Sequence, residues 1–276
     1  MLLTPRYGDH PVIAVDARTS GDHPVVDQRR RLEALLGDLS EGEWHHPSRC
    51  AGWSVQDVVT HLTSTNGFWA FSIRAGLDGE PTRFLGAFDP VASPAQLVDQ
   101  VQGTPVEETM EQLAASTAAL AAVVDGLDAG DWDVLAEAPP GHLPVRLVAD
   151  HALWDCWVHE RDIVLPLGRT PVVEPDEVLT GLRYAAALGR AFEVCAGRSE
   201  TSAVVLEVGD PGARIVVSAG ADEVRVHDGP APDDALRGVG SAVEVLEMLS
   251  TRDAGVPVPP AVSALTAGLA VVFDQV

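Results

Sequence analysis

"HALWDCWVHERD", residues 151–162, is the stretch on which the reading of this chain turns. Leu153, Trp154, Trp157 and Val158 mark it as a segment built for a protein interior, yet His151, Asp155 and His159 recur through it at every fourth residue. An α-helix turns about 100° per residue, so positions i and i+4 share a face. If the segment is a helix, Asp155 and His159 converge, and a carboxylate with an imidazole is a first-choice ligand pair for a divalent cation. The bland alternative is a hydrogen-bonded core histidine beside a chance acidic neighbour. Two ligands rarely suffice, so a metal reading needs a third from elsewhere.

The candidate is His61, in "GWSVQDVVTHL" (52–62), where it sits among Val58, Val59 and Leu62 at the edge of an apolar helical face. Asp57, one turn earlier, is either an acceptor behind that histidine or a capping charge at the helix start; Ser54 followed three residues later by Asp57 resembles a capping box. His61, Asp155 and His159 would leave a coordination position open for water or a thiolate, as catalytic zinc sites do.

Around these segments the chain reads as long amphipathic helices. "VDQRRRLEALLGDL" (26–39), the segment following Ser54, "VEETMEQLAASTAALAAVVDGL" (106–127) and "LPVRLVADHALWDCWVHERDIVLPLG" (143–168) are the long ones, with a shorter one at "SPAQLVDQVQGTP" (93–105). "DAGDWDVLAEAPPGH" (128–142) reads as a loop. Four such helices predict a bundle. From about 174 one more helix is followed by the β-branched runs "SAVVLEVGD", "ARIVVSAG" and "EVRVHDG", which read as a small antiparallel sheet, and then by two final helices. The expected organisation is a flexible leader over 1–24, a four-helix bundle over 25–170 and a small α+β domain over 171–276.

The 276 residues carry 41 acidic against 18 basic side chains, a net charge of −23, and every basic one is arginine. Such a surface argues against nucleic acid and anionic membranes as partners, since both are bound by cations. No run approaches the roughly 18 apolar residues of a membrane span, and the first residues lack a secretory apolar core. Cys50, Cys156 and Cys195 are far apart, which fits reduced thiols in a cytoplasm. Cys50 reads as a small buried side chain at a turn, and Cys156 as turned away from the Asp155 face. Trp53, Trp69, Trp154 and Trp157 are core packing, with one or two, Trp154 among them, as candidate pocket walls. Arg146 and Arg161 are candidate anchors for a substrate carboxylate, surface ion pairs being the default. Arg237 and Arg252, in the tail, are candidates for the pocket rim.

"EWHHPSRCAGWSVQDVVTHL" (43–62) closely resembles the N-terminal motif of the mycothiol-dependent maleylpyruvate isomerase family, DinB-like four-helix proteins. "DHALWDCWVHERDI" (150–163) resembles its second motif, a carboxylate four residues before a histidine and then an aspartate, and "DALRGVGSAVEVLEMLSTRD" (234–253) resembles its C-terminal domain. The resemblance implies zinc, or another divalent metal, on His61, Asp155 and His159, with mycothiol as co-substrate. One position departs: the family's usual carboxylate is glutamate, where this chain has the shorter Asp155. The implied activity is addition of a low-molecular-weight thiol to a small electrophile, giving cis–trans isomerisation or S-transfer. Metal-dependent hydrolysis, with Asp57 or His151 as the base, and a non-catalytic ligand-binding role are the alternatives.

Overall fold

The computed structural model describes residues 4–16, 23–90 and 92–269. Strand β1 (Ile13–Val15) comes first, followed by α1 (Val25–Gly37), the single turn α2 (Glu41–Trp44), α3 (Val55–Leu77), α4 (Ala92–Gln100) and α5 (Val106–Val124). A hairpin, β2 (Leu135–Ala138) and β3 (Gly141–Pro144), leads directly into α6 (Val145–Val164). Helices α3 and α1 each pack on both α5 and α6, so the four long helices expected from the sequence form a ring of neighbours. Val55, Val58, Val59 and Leu62 of α3 are fully buried there against Leu32, Leu36, Leu113, Cys156 and Ile163. Burying each such side chain contributes about 1.5–3 kcal/mol. The apolar stripe therefore fixes the rotation of α3 and with it the direction of the polar residues at its border.

Beyond α6 the chain forms α7 (Pro175–Cys195), β4 (Ser202–Gly209), β5 (Ala213–Ala219), β6 (Val224–His227), β7 (Leu236–Ser241), α8 (Ala242–Leu249) and α9 (Pro260–Thr266). One side of α7 packs on α6 and another on the sheet, so this helix joins the two halves. Its close approach to α9 depends on Gly189, where a Cβ would lie 2.0 Å from the carbonyl oxygen of Leu265. Among the described residues no helix is long and apolar enough to cross a membrane.

Four expectations need correction. The sheet is mixed, ordered β1-β6-β5-β4-β7, because β1 and β7 flank the antiparallel β4–β6 meander in parallel. The residues read as a leader supply β1, with Val12 and Ile13 buried, and so belong to the sheet about 210 residues away; residues 17–22 lie outside the described part. The segment read as a loop contains the β2–β3 hairpin; Gly141 at its turn has φ +130° and meets the Arg6 backbone so closely that any side chain would clash. The last helix is shorter than read, and residues 270–276 of that reading lie outside the described part.

Candidate metal centre

The start of α3 is fixed by a capping box. The Asp57 N–H donates to Ser54 Oγ at 3.3 Å, and Asp57 Oδ2 accepts the Ser54 N–H at 2.8 Å and its hydroxyl at 2.7 Å. Of the two roles open to Asp57 from the sequence, capping is the one its contacts display. Seven residues into that helix, His61 faces α6 across the seam between them.

There it meets Asp155 and His159. Asp155 Oδ1 stands 3.7 Å from His61 Nε2 and 3.6 Å from His159 Nε2, and the two imidazoles lie edge to face with centroids 4.8 Å apart. One donor atom from each of the three side chains lies within 4.8 Å of the others. These separations exceed a hydrogen bond. They are close to the spacing of about 3.3 Å between donors that each sit 2.0–2.1 Å from a tetrahedral ion. The three side chains are only 12–14% exposed.

The second polar atoms of Asp155 and His159 are held from behind. Thr65, one turn beyond His61, donates to Asp155 Oδ2 at 3.3 Å, which leaves Oδ1 toward the imidazoles. His159 Nδ1 lies 3.1 Å from Asp162 Oδ2. A carboxylate only accepts, so this contact places the proton on Nδ1 and leaves the Nε2 lone pair for a cation. Asp162 is fully buried and gripped in turn: Arg49 Nε donates to Oδ1 at 2.8 Å, and Arg252 donates to Oδ1 at 3.0 Å and Oδ2 at 2.7 Å. Burial opposes ionisation of Asp162, but His159 and Arg252 outweigh it and hold its carboxyl far below the usual range. The same balance, with His61 and His159 against burial, depresses Asp155. Burial lowers His159, but Asp162, Cys50 and Asp155 together push it up to about 10. The donor set and its backing fit a divalent cation held by three protein ligands.

The Cys50 thiol donates to Asp162 Oδ2 at 3.2 Å and lies 3.6 Å from His159 Nδ1, so it sits directly behind the histidine. Cys50, His159 and Asp162 form a second compact trio. Its oxygen acceptors are already engaged by arginines and its imidazole nitrogen by a proton, so its chemistry is that of a hydrogen-bonded support.

Other predicted residues fall at varied distances. His151 is buried, 2.7 Å from the Tyr184 hydroxyl through Nδ1, and ringed edge-on by Trp69 and Trp154. Trp154 donates its indole N–H to Ser250 Oγ at 2.9 Å. Trp53 packs on His61, with centroids 5.5 Å apart. Arg146 stacks over Trp132, and Arg161 is paired with Glu247 of α8 and stacked over Trp157. Arg237 pairs with Glu207 on the exposed face of edge strand β7. Neither Arg146 nor Arg237 is brought to the trio, whereas Arg252 reaches it through Asp162. Sequence reasoning assigned no role to Asp162, Thr65, Arg49 or Tyr184. Asp162 alone left a readable signal, continuing the polar line three residues past His159.

The comparisons with known proteins agree with this architecture. The sequence model of the mycothiol maleylpyruvate isomerase N-terminal domain matches residues 25–164, a span that holds all three converging side chains. Two similar solved structures are those of the mycothiol-dependent maleylpyruvate isomerase, with TM-score 0.56 and 16% identity, and of a histidine-to-alanine variant of it, with TM-score 0.57 and 15% identity. Each covers 86% of this chain and 95% of its own, a likeness of fold. No curated protein matches the chain. The chain belongs to the family defined by the mycothiol maleylpyruvate isomerase N-terminal domain.

Proposed function

We propose that this protein is a metal- and thiol-dependent enzyme that adds mycothiol, or a similar low-molecular-weight thiol, to a small conjugated electrophile. The observation that carries the proposal is the stand-off at the α3–α6 seam: one carboxylate oxygen faces two imidazole nitrogens at 3.6–3.7 Å, while Thr65 and Asp162 occupy the other polar atoms of Asp155 and His159.

His61, Asp155 and His159 would hold the ion, zinc being the first candidate for an N₂O set. A divalent cation bound there supplies Lewis acidity that keeps a thiol ionised at neutral pH. The chain does the rest. Asp162 keeps the His159 proton on Nδ1, Arg49 and Arg252 hold Asp162 in place, and Thr65 orients Asp155. The Trp53, Trp69 and Trp154 rings restrict water around the polar line. Addition to a cis double bond followed by elimination yields the trans isomer, and addition alone yields a thioether.

Elemental analysis of the purified protein, combined with assay of maleylpyruvate isomerisation with and without mycothiol, tests the reading. About one divalent ion per chain and turnover that requires the thiol are expected. Turnover of ester or amide probes without thiol would favour the hydrolase reading, and a metal-free protein that binds ligand without turnover would favour the binding role.

A further inference from the structure

The polar line of α6 has a third member that the cation does not need. His151 lies one turn before Asp155 on the same helical face and is buried. Its Nδ1 is 2.7 Å from the hydroxyl of Tyr184, a fully buried side chain of α7. A contact between two groups that can each donate or accept leaves the tautomer to be decided by what else each can reach. Burial, with Asp150 and Asp155 in support, raises the Tyr184 phenol well above its usual range, so it keeps its proton. If the imidazole donated to the phenol oxygen, that phenol proton would need another acceptor in the interior, and the contact with His151 is its hydrogen bond among the described residues. The phenol therefore donates to Nδ1. Burial also lowers His151 to about 4, so the ring is neutral near pH 7 and its single proton lies on Nε2, at the opposite edge of the ring. Beside it, Trp69 packs edge-on with centroids 4.7 Å apart, and its buried indole N–H has no partner among the described residues. Two adjoining rings thus offer N–H groups with no acceptor among the described residues, one helical turn from Asp155 and walled by Trp154.

We propose that Tyr184 fixes the tautomer of His151 so that its Nε2–H serves as a hydrogen-bond donor to a carbonyl oxygen conjugated with the substrate's double bond. The proposal rests on the thiol-addition reading. In the step, the thiolate sulfur forms a bond to the β-carbon and the π pair moves onto the carbonyl oxygen, giving an enolate. Rotation about the former double bond follows. The electron pair then returns, the C–S bond breaks, and the thiolate leaves with the trans product. If the enolate instead takes a proton from water at the α-carbon, the thioether remains. His151 keeps its proton throughout and stabilises the negative oxygen, as an oxyanion-hole donor does. Tyr184 acts through His151 and is a positioning residue.

The test uses the metal-loaded enzyme and reads both turnover and the histidine tautomer, by ¹⁵N NMR of histidine-labelled protein. His151 is expected to be protonated at Nε2 and unprotonated at Nδ1 in the wild type, and to lose that single tautomer in Tyr184→Phe. This variant should keep its metal and its KM for thiol while kcat falls about tenfold. His151→Leu should fall on the order of a hundredfold, whereas His151→Gln, which restores an N–H near the same position, should recover much of the loss. A wild-type Nδ1–H tautomer, a Tyr184→Phe kcat at the wild-type value, or His151→Gln no better than His151→Leu would each overturn the inference. If Tyr184→Phe does not fold, the two His151 variants and the wild-type spectrum decide it. Failure of the thiol-addition reading is separately visible, as wild-type turnover that does not depend on thiol.

Discussion

Two polar clusters lie on neighbouring faces of α6, and their facing atoms are spaced differently. On one face, Arg31 donates to Glu177 at 2.6 and 2.7 Å and to the buried Glu160 at 3.1 Å; next to it the fully buried Arg29 donates to Asn66 Oδ1 at 2.8 Å, Gln28 Oε1 at 2.7 Å and the Ala152 carbonyl at 2.8 Å. On the other face, one residue along from Glu160, the facing atoms of His61, Asp155 and His159 stand 3.6–3.7 Å apart. The first cluster pairs its charges at hydrogen-bond distance and ties α1 to α3, α6 and α7, although Arg31 Nε and Glu160 Oε1 stay buried without a partner among the described residues. The second is open at the atoms that face one another, and Thr65 and Asp162 close Asp155 and His159 from behind. Buried polar groups that serve packing are drawn toward hydrogen-bond distance, because an unmet one costs about 1–3 kcal/mol. The separation of the second cluster is the one the proposed cation would need.

The comparison can be broken at its open end first. His159→Ala removes a member of the trio, and bound metal should fall from about one equivalent to background with the fold intact, measured by elemental analysis and circular dichroism. Retention of stoichiometric metal would mean that the stand-off is not a cation site.

The paired side predicts the reverse pattern. Arg31→Met leaves Glu160 and Glu177 buried without their cation and should cost about 3–5 kcal/mol in denaturant unfolding, with metal per folded chain unchanged. Metal loss on that substitution would show the two clusters to be one.

His151 sharpens the contrast through pH. Its folded value of about 4 lies below the ordinary 6.5, so stability is unaffected above pH 6.5 and declines as pH falls, because the unfolded chain takes up a proton that the folded one does not. The loss is complete near pH 4 and amounts to on the order of 3 kcal/mol. His159, pushed up to about 10, stays protonated in the folded metal-free protein across this window, and its stabilisation, fully present below the unfolded 6.5, changes little there. Metal-free His151→Phe should show a flatter stability profile between pH 6.5 and 4 than the parent; equal slopes would contradict the neutral, buried assignment.

The support behind His159 carries a smaller effect. Asp162→Asn removes the negative charge that holds the Nδ1 proton and should weaken metal affinity about 10- to 100-fold, read by chelator competition, without abolishing binding.

Much of this arrangement was legible along the chain, and the reasons differ by residue. Asp155 and His159 share a face because of helix pitch, and the capping box at Ser54 and Asp57 is a four-residue event; both are local. His61 was reachable because the apolar stripe of α3 fixes its edge, and the resemblance named it. Asp155 is shorter than the family's usual glutamate, and the backbone places its Oδ1 at 3.7 and 3.6 Å from the two imidazoles, a relation across helices that spacing along the chain does not give. The strand β1 carried no usable signal, since three residues show too little alternation and its partner Val224–Val226 lies about 210 positions on.

Spacing, capping and the apolar stripes, all set by neighbours within a few turns, determined the four long helices, the meander and two of the three converging side chains. Only the tertiary structure decided which groups stand behind them: Asp162 against Arg252, Cys50 against His159, and Tyr184 against His151. Those pairs span 90, 109 and 33 residues, and such contacts depend on how whole elements pack rather than on any local preference.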